Sequence, residues 1–360
     1  MFRKLFKRIR SKKPPEDKEV KNKSKFQLEK IKKSRRLPKD DKVILDKDDS
    51  HSVIHNAIVQ KDYTKKYKNF KYICHGYFAK VYKATETISN NCVGIKRIRI
   101  ADPFFYKVAK QEALITQYIR SDNVIKLKES FVIGEYMYLV YPYYKSDLFE
   151  TIPKFLGRPR KIISLLLHIA IGIRDIHNME FIHGDIKPEN ILMDGCKPLI
   201  IDLGLARSAN VITIDDSLYK KLSGTLAYLP PEVVSRYYYT KKMDIWAFGI
   251  LMYVLMFYRE PFYSSDDKEL FNQIKYRDQY YPITWQVGDT EVPCHRKLYT
   301  NIVDLNKWLL MKELDSRPSI DDVINRLVKI IKAMECDKTR ECMKLTHKLE
   351  IEHIRRFKTA

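Results

Sequence analysis

His183-Gly184-Asp185-Ile186-Lys187-Pro188-Glu189-Asn190 is the stretch on which the reading of this chain turns. An apolar run with helical spacing, residues 162–177, precedes it, and a short apolar run with strand character, Ile191-Leu192-Met193, follows it. The stretch is therefore a loop joining a buried helix to a strand. Within eight residues it presents a carboxylate, an ammonium and an amide. Transfer of a phosphoryl group needs such a set: a carboxylate to orient and deprotonate a hydroxyl, a cation for the phosphate, and an oxygen ligand for Mg2+. Twelve residues after Asn190 comes Asp202-Leu203-Gly204, behind the apolar run 198–201. That puts a second carboxylate at a strand end, where it suits a hard cation bridging phosphates.

Outward from the loop, the texture changes along the chain. Residues 72–84 and 92–100 read as strands, 106–119 as a helix, and 131–132 and 136–141 as further strands. Beyond Asp147 the pattern turns helical, at 162–177, 240–257, 302–311 and 319–331. Strands followed by helices predict an α+β protein of two lobes, the first strand-rich and the second helical. The core domain spans 67–331, a linker 51–66 precedes it, and 332–360 reads as a charged helical extension.

Composition supports a folded body. Hydrophobic residues make up 45% of the 360, close to the usual globular share, so a sizeable core can form and wholesale disorder is excluded. With 11 glycines and 15 prolines, and no solenoid period, the chain is neither collagen-like nor a repeat array. The longest apolar stretches, 246–258 and 162–173, fall short of the roughly 18–20 residues of a membrane span and read as buried helices. No secretory signal is visible at the N-terminus. The six cysteines (Cys74, Cys92, Cys196, Cys294, Cys336 and Cys342) lack metal-ligand spacing, which leads us to expect reduced thiols in the cytoplasm or nucleus.

Charge is uneven. Of the net +22, residues 1–42 hold 18 Lys and Arg against 6 Asp and Glu, a local +12. Residues 1–50 are broken by Pro14, Pro15 and Pro38 and cannot bury enough apolar surface to fold alone. In the first ten residues Phe2, Leu5, Phe6 and Ile9 share a helical face ringed by basic side chains, a pattern for anionic membrane. Ten residues make a marginal helix, so a solvated tail, or one meeting nucleic-acid phosphates loosely, is the favoured reading.

Taken in order, these motifs resemble the eukaryotic-type protein kinases, whose catalytic loop and metal-binding motif appear here as HGDIKPEN and DLG. The resemblance covers roughly 67–331. It implies ATP and Mg2+ as cofactors, protein substrates, Asp185 as catalytic base, Lys187 on the transferred phosphate, and Asn190 and Asp202 as metal ligands. Val93-Gly94-Ile95-Lys96 resembles the strand that holds the α- and β-phosphates, with Glu112 as the partner of Lys96. The glycine-rich loop is the most divergent part. In Ile73-Cys74-His75-Gly76-Tyr77-Phe78-Ala79-Lys80-Val81 only Gly76 survives, with Cys74 and Ala79 where glycines are usual. Around the adenine the resemblance implies Ile73, Ala79, Val81, Gly94 and Leu192. At the hinge, Tyr141-Pro142-Tyr143-Tyr144, Pro142 would offer its carbonyl, Tyr144 its N–H, and Tyr141 its bulk at the back of the pocket. Asp147 is read either as a ribose contact or as a helix start.

Downstream, Gly224-Thr225 and Pro230-Pro231-Glu232 resemble the substrate loop, with Thr225 bridging Asp185 and Lys187, and Arg317 pairing with Glu232. Lys187 two positions after Asp185, together with Gly224-Thr225, follows the serine/threonine pattern. The His-Gly-Asp form is similar to viral and casein-kinase-like outliers, and the Lys-, Ile- and Tyr-rich composition would suit a large DNA virus. The competing reading is a pseudokinase that binds nucleotide or a partner. Retention of Lys96, Asp185, Asn190 and Asp202 weighs toward an active enzyme.

Overall fold

Alternation along the first strands sets the architecture. In the computed structural model, which describes residues 63–336 apart from 76–78, 156, 210–225, 237–238, 283, 288–289 and 294–295, five antiparallel strands form one sheet in the order β1-β2-β3-β5-β4. These are β1 (Tyr67–His75), β2 (Ala79–Glu86), β3 (Cys92–Arg99), β4 (Glu129–Ile133) and β5 (Tyr136–Pro142). Successive side chains point to opposite faces. Val93, Ile95 and Val140 therefore join Tyr67, Ala84 and Phe131 on one face, while Ile98, Leu139 and Tyr141 join Ala79 and Met137 on the other. Gly94 and Lys96 share the parity of the second face, and Lys96 stands opposite Val81 and Leu139 in the ladder.

Helix α1 (Pro103–Tyr118) packs its small Ala109 and Ala113 against that second face. It begins three residues earlier than the apolar period predicts. Asp102 caps it, its side chain accepting from the Phe104 N–H at 2.8 Å, and Pro103 occupies the first turn, where a missing N–H costs nothing. The run 72–84, read as one strand, is two, paired antiparallel with His75 opposite Lys80. The turn between them contains Gly76, which lies outside the described residues, as do Thr225, the tail 1–50 and the extension beyond Cys336. Of the 51–66 linker, Tyr63–Lys66 is a helical turn leading into β1.

The second lobe is built on α2 (Pro159–Asn178), α3 (Lys241–Phe257), α4 (Asp267–Tyr276), α5 (Arg296–Leu309) and α6 (Ile320–Cys336). Every residue of α3 from Met243 to Phe257 is buried. A helix apolar all round belongs inside a core, and α2 and α5 pack against it. α6 runs five residues past the expected end at 331, because Met334 is buried in the same core and Arg160 of α2 donates to the Met334 carbonyl at 2.7 Å. Short strands then set the loops between the lobes: β6 (Ser146–Asp147), β8 (Ile191–Asp194) and β9 (Lys197–Ile200) form a small sheet, and β7 (Phe181–Ile182) pairs with β10 (Arg207–Ser208). A hairpin at Thr284–Val287 and Thr290–Pro293 was not expected.

The lobes are stitched at Asn123 to Ile125. Ile200 accepts from the Ile125 N–H at 2.9 Å and donates to the Asn123 carbonyl at 2.8 Å, and the Asn123 amide reaches the Pro198 carbonyl. Gly172 of α2 lies beneath this join. A Cβ there would stand 2.9 Å from the Asn123 carbonyl and 2.8 Å from Ile200 Cδ1, so only glycine lets the helix come this close.

Arg317 and Glu232 close the second lobe from below, as the sequence predicts. The guanidinium is fully buried and meets both carboxylate oxygens, at 2.7 and 2.5 Å, while its Nε donates to the Met311 carbonyl at 2.7 Å and its plane lies over Trp246. Removing one member of a buried pair leaves the other uncompensated. Arg317→Met should therefore cost about 3–5 kcal/mol in thermal or denaturant unfolding. Arg317→Lys should also be destabilising, since an ammonium cannot reproduce the two-pronged contact.

Candidate active site

The catalytic loop is held from beneath by one carboxylate. Asp244, in the first turn of α3 and buried, accepts from the His183 N–H at 2.8 Å, the Gly184 N–H at 2.9 Å and His177 Nε2 at 2.8 Å. Burial pushes its carboxyl up, but the His177 bond and the charges around it outweigh that and hold it below the usual carboxylate range. His183 carries the constraint upward. Its Nδ1 accepts from the Asp185 N–H at 3.1 Å, so its proton sits on Nε2 and is donated to the Ile201 carbonyl at 2.9 Å. The base and the residue preceding Asp202 are thus fixed by one imidazole. Gly184 between them has φ +80°, a left-handed conformation that any side chain would strain.

Asp185 has two unlike oxygens. Oδ2 accepts from Lys187 Nζ at 2.6 Å and from Asn190 Nδ2 at 2.8 Å, whereas Oδ1 is buried and receives no donor among the described residues. Burial works against the charge on Lys187, but Asp185 more than offsets it and raises the lysine pKa. With its amide nitrogen spent on Asp185, Asn190 keeps its side-chain oxygen for another partner.

Lys96 is shared by two acids. Its Nζ lies 2.6 and 2.8 Å from the oxygens of Glu112 and 2.7 Å from Asp202 Oδ1. Burial disfavours its charge, yet Asp202 and Glu112 win and raise its pKa. Burial alone would push Asp202 up, but Lys96 holds it below the usual carboxylate range. Asp202 is itself left-handed, at φ 64° and ψ 60°, in a residue type that tolerates this better than most. Asp202 Oδ2 takes no hydrogen bond among the described residues. That oxygen and the Asn190 amide oxygen are hard donors of the kind Mg2+ accepts, and two protein ligands are what Mg2+ uses when phosphates supply the rest. Among the described residues no group of three or more His, Cys, Asp or Glu is placed to hold a metal alone.

Of the residues that the resemblance assigns to the adenine side, several lie together. Ala79, Tyr141, Tyr144, Leu192 and Ile201 belong to one apolar cluster beneath the sheet. Val81 faces Lys96 across the ladder, and the Cβ direction of Gly94 points within 3.9 Å of the Pro142 carbonyl. At the hinge, the Tyr143 N–H is used by the Cys92 carbonyl, while the Tyr144 N–H has no partner among the described residues. Ile73 and Cys74 are exposed on β1, Cys74 opposite Val81. Asp147 acts as a helix start: its Oδ1 accepts from the Glu150 N–H at 2.8 Å, capping Leu148–Thr151.

Three features escaped the sequence reading. His177 lies 67 positions from Asp244, and no motif links them. The Tyr141 hydroxyl reaches Glu112 Oε1 and Thr116 Oγ1, each at 3.4 Å, although the sequence showed only its bulk. Glu260, which follows the C-terminus of α3, is pushed up to about 7 by burial and by Glu189 of the catalytic loop.

Residues 67–328 match the family model described as the protein kinase domain, well over half of the chain. The chain belongs to the protein kinase domain family. An Aurora kinase of Dictyostelium discoideum is 28% identical over 256 residues, covering 69% of this chain and 62% of the relative. A CBL-interacting serine/threonine-protein kinase 10 of Arabidopsis thaliana is 31% identical over 217 residues, covering 59% and 45%, and the serine/threonine-protein kinase H1 of Homo sapiens is 31% identical over 217 residues, covering 59% and 51%. The chain thus spans about half to three fifths of the length of these relatives. In this kinase domain the strand-rich lobe carries Lys96 and Glu112, the helical lobe carries Asp185 and Asn190, and Asp202 follows β9 at the join.

The raised pKa of Glu260 makes a stability prediction. An acid whose folded pKa lies above its unfolded value keeps the folded state protonated. Stability then falls as pH rises from the ordinary glutamate range through about 7. Glu260→Gln should raise the unfolding free energy at pH 8 by an amount on the order of 1–3 kcal/mol, read in thermal unfolding, and change little at pH 4. Equal effects at the two pH values would show that Glu260 is not held protonated.

Proposed function

We propose that this chain is an active serine/threonine protein kinase that uses ATP and Mg2+. The observation that carries the reading is Asp185, with one oxygen pinned by Lys187 and Asn190 and the other buried without a donor among the described residues. Leaving a buried acceptor unsatisfied costs about 1–3 kcal/mol, and an incoming hydroxyl is the group that would relieve it. Serine and threonine are favoured as acceptors by Lys187 two residues beyond Asp185, by Gly224-Thr225, and by the names of the relatives.

ATP with Mg2+ would supply the transferable phosphoryl group. The chain's own groups do the rest. Asp185 Oδ1 orients the acceptor hydroxyl and takes its proton as the new oxygen–phosphorus bond forms and the bond from phosphorus to the departing ADP oxygen breaks. Lys187, held on the other oxygen Oδ2, is placed to meet the negative charge of the phosphoryl group. Lys96, steadied by Glu112, binds the α- and β-phosphates, and Asn190 and Asp202 offer oxygens to the metal. The pseudokinase reading is disfavoured because the four residues that such proteins tend to lose are present and joined by short contacts. The basic stretch 1–42 adds a surface for polyanions, whether anionic lipid or nucleic acid, and reduced cysteines suit the cytoplasm or nucleus.

Purified protein incubated with labelled ATP, Mg2+ and a serine- or threonine-containing peptide should incorporate label. Asp185→Asn should lower kcat by about 10²–10⁴ while nucleotide still binds. Near wild-type turnover in that variant would remove Asp185 from the role of base. Asp202→Asn should instead weaken the Mg2+ dependence of nucleotide binding.

Regulation follows from Gly184. Relatives that await a loop phosphate grip it with an arginine at this position. Here it is a left-handed glycine, and Arg207, the nearby cation on β10, lies over the Tyr239 ring at 4.6 Å. Protein stripped by phosphatase and shown by mass to carry no phosphate should retain most of its initial rate. Loss of most activity, restored by loop phosphorylation, would refute the inference from Gly184.

A further inference from the structure

We infer that the Tyr141 hydroxyl is a positioning group for the Lys96–Glu112 pair, donating to Glu112 Oε1 and holding that carboxylate turned toward the lysine. Both residues are deeply buried, Tyr141 at 7% and Glu112 at 2% exposure. A phenol in such a place must direct its proton at an acceptor. Two lie at 3.4 Å, Glu112 Oε1 and Thr116 Oγ1. Thr116 spends its own proton on the Glu112 carbonyl, one turn back, at 2.7 Å, so its oxygen presents only neutral lone pairs to Tyr141. The carboxylate is the stronger acceptor, because hydrogen bonds to ionised groups are roughly twice as strong as neutral ones.

Glu112 needs a second hold. Lys96 has three protons, and they are already divided between Glu112 and Asp202. Nucleotide phosphates would draw on the same ammonium, so Glu112 is least well anchored when the site is loaded. Helix α1, which carries Glu112, meets the sheet through small residues, Ala109 and Ala113, and reaches the other lobe through Gln111, which donates to the Ala206 carbonyl. The hydroxyl on β5 is a tether to Glu112 that no cation has to share. Its length is long for a hydroxyl donor, so its effect is several-fold, not decisive.

The inference rests on the phosphotransfer reading, in which Lys96 binds nucleotide phosphates. The test compares wild type with Tyr141→Phe, which removes one oxygen and keeps the ring. Initial rates are measured against ATP and, separately, against peptide, and nucleotide affinity is measured by calorimetry. The expected result is an ATP KM and a nucleotide Kd raised about 3- to 10-fold, an unchanged peptide KM, and a melting temperature within about 2 °C of wild type. Thr116→Val, which removes only the neutral acceptor, should behave as wild type. Wild-type nucleotide parameters in Tyr141→Phe would overturn the inference. So would the same loss in Thr116→Val, which would assign the proton to threonine, or a fall in melting temperature with both KM values moving together, which would make the hydroxyl a general structural group. The calorimetric comparison needs no turnover. A wild type that binds nucleotide but transfers nothing would therefore defeat the phosphotransfer reading while leaving this one decided by Kd.

Discussion

Asp244 is the point from which the geometry of the site is referenced. Its side chain rises from the first turn of the most buried helix in the protein and takes two successive backbone N–H groups of the catalytic loop. A buried carboxylate is costly unless its lone pairs are satisfied, and here three donors do so. The rigidity of α3 is thus transmitted to Gly184 and, through the His183 ring, to Asp185 on one side and Ile201 on the other. Asp185 and the segment leading to Asp202 thus share one foundation.

The upper half of the site is held by charge balance. Lys96 is flanked by two acids, and each of the three side chains comes from a different element: β3, α1 and the segment after β9. The trio's formal charge is negative by one, which would suit a metal cation arriving with phosphates under the proposed activity. Mechanical and electrostatic roles would then coincide, since the lysine that orients Glu112 would also be the cation that meets the nucleotide.

What could be read in advance follows from how far apart the partners lie. Asp185, Lys187 and Asn190 fall within six residues, so their types and spacing reveal a shared task. Lys96 and Asp202 are 106 positions apart, and only the resemblance to a family joined them. Partners with no motif were invisible: His177 with Asp244, Tyr141 with Glu112, and Glu189 with Glu260. Periodicity marked most elements of the described chain but misjudged ends. The cap Asp102-Pro103 lies outside the apolar stripe of α1, and the last turn of α6 offers only Met334 as a large apolar side chain. The stretch between β1 and β2 looked like the middle of one long strand because both flanks are rich in strand formers.

The uniform burial of α3 has a consequence for how the chain comes to be made. A helix with no polar face has no orientation in which it can rest in water. Of the helices packed on it, α2 lies upstream but α5 lies downstream, with roughly 50 residues separating Phe257 from Leu309. At ribosomal rates of about 5–20 residues per second, α3 waits several seconds between emerging and being enclosed. During that interval one side of the greasy rod at the centre of the helical lobe is unshielded. Yield from an expression host should therefore be governed by chaperone capacity and growth temperature more than by the stability of the finished domain.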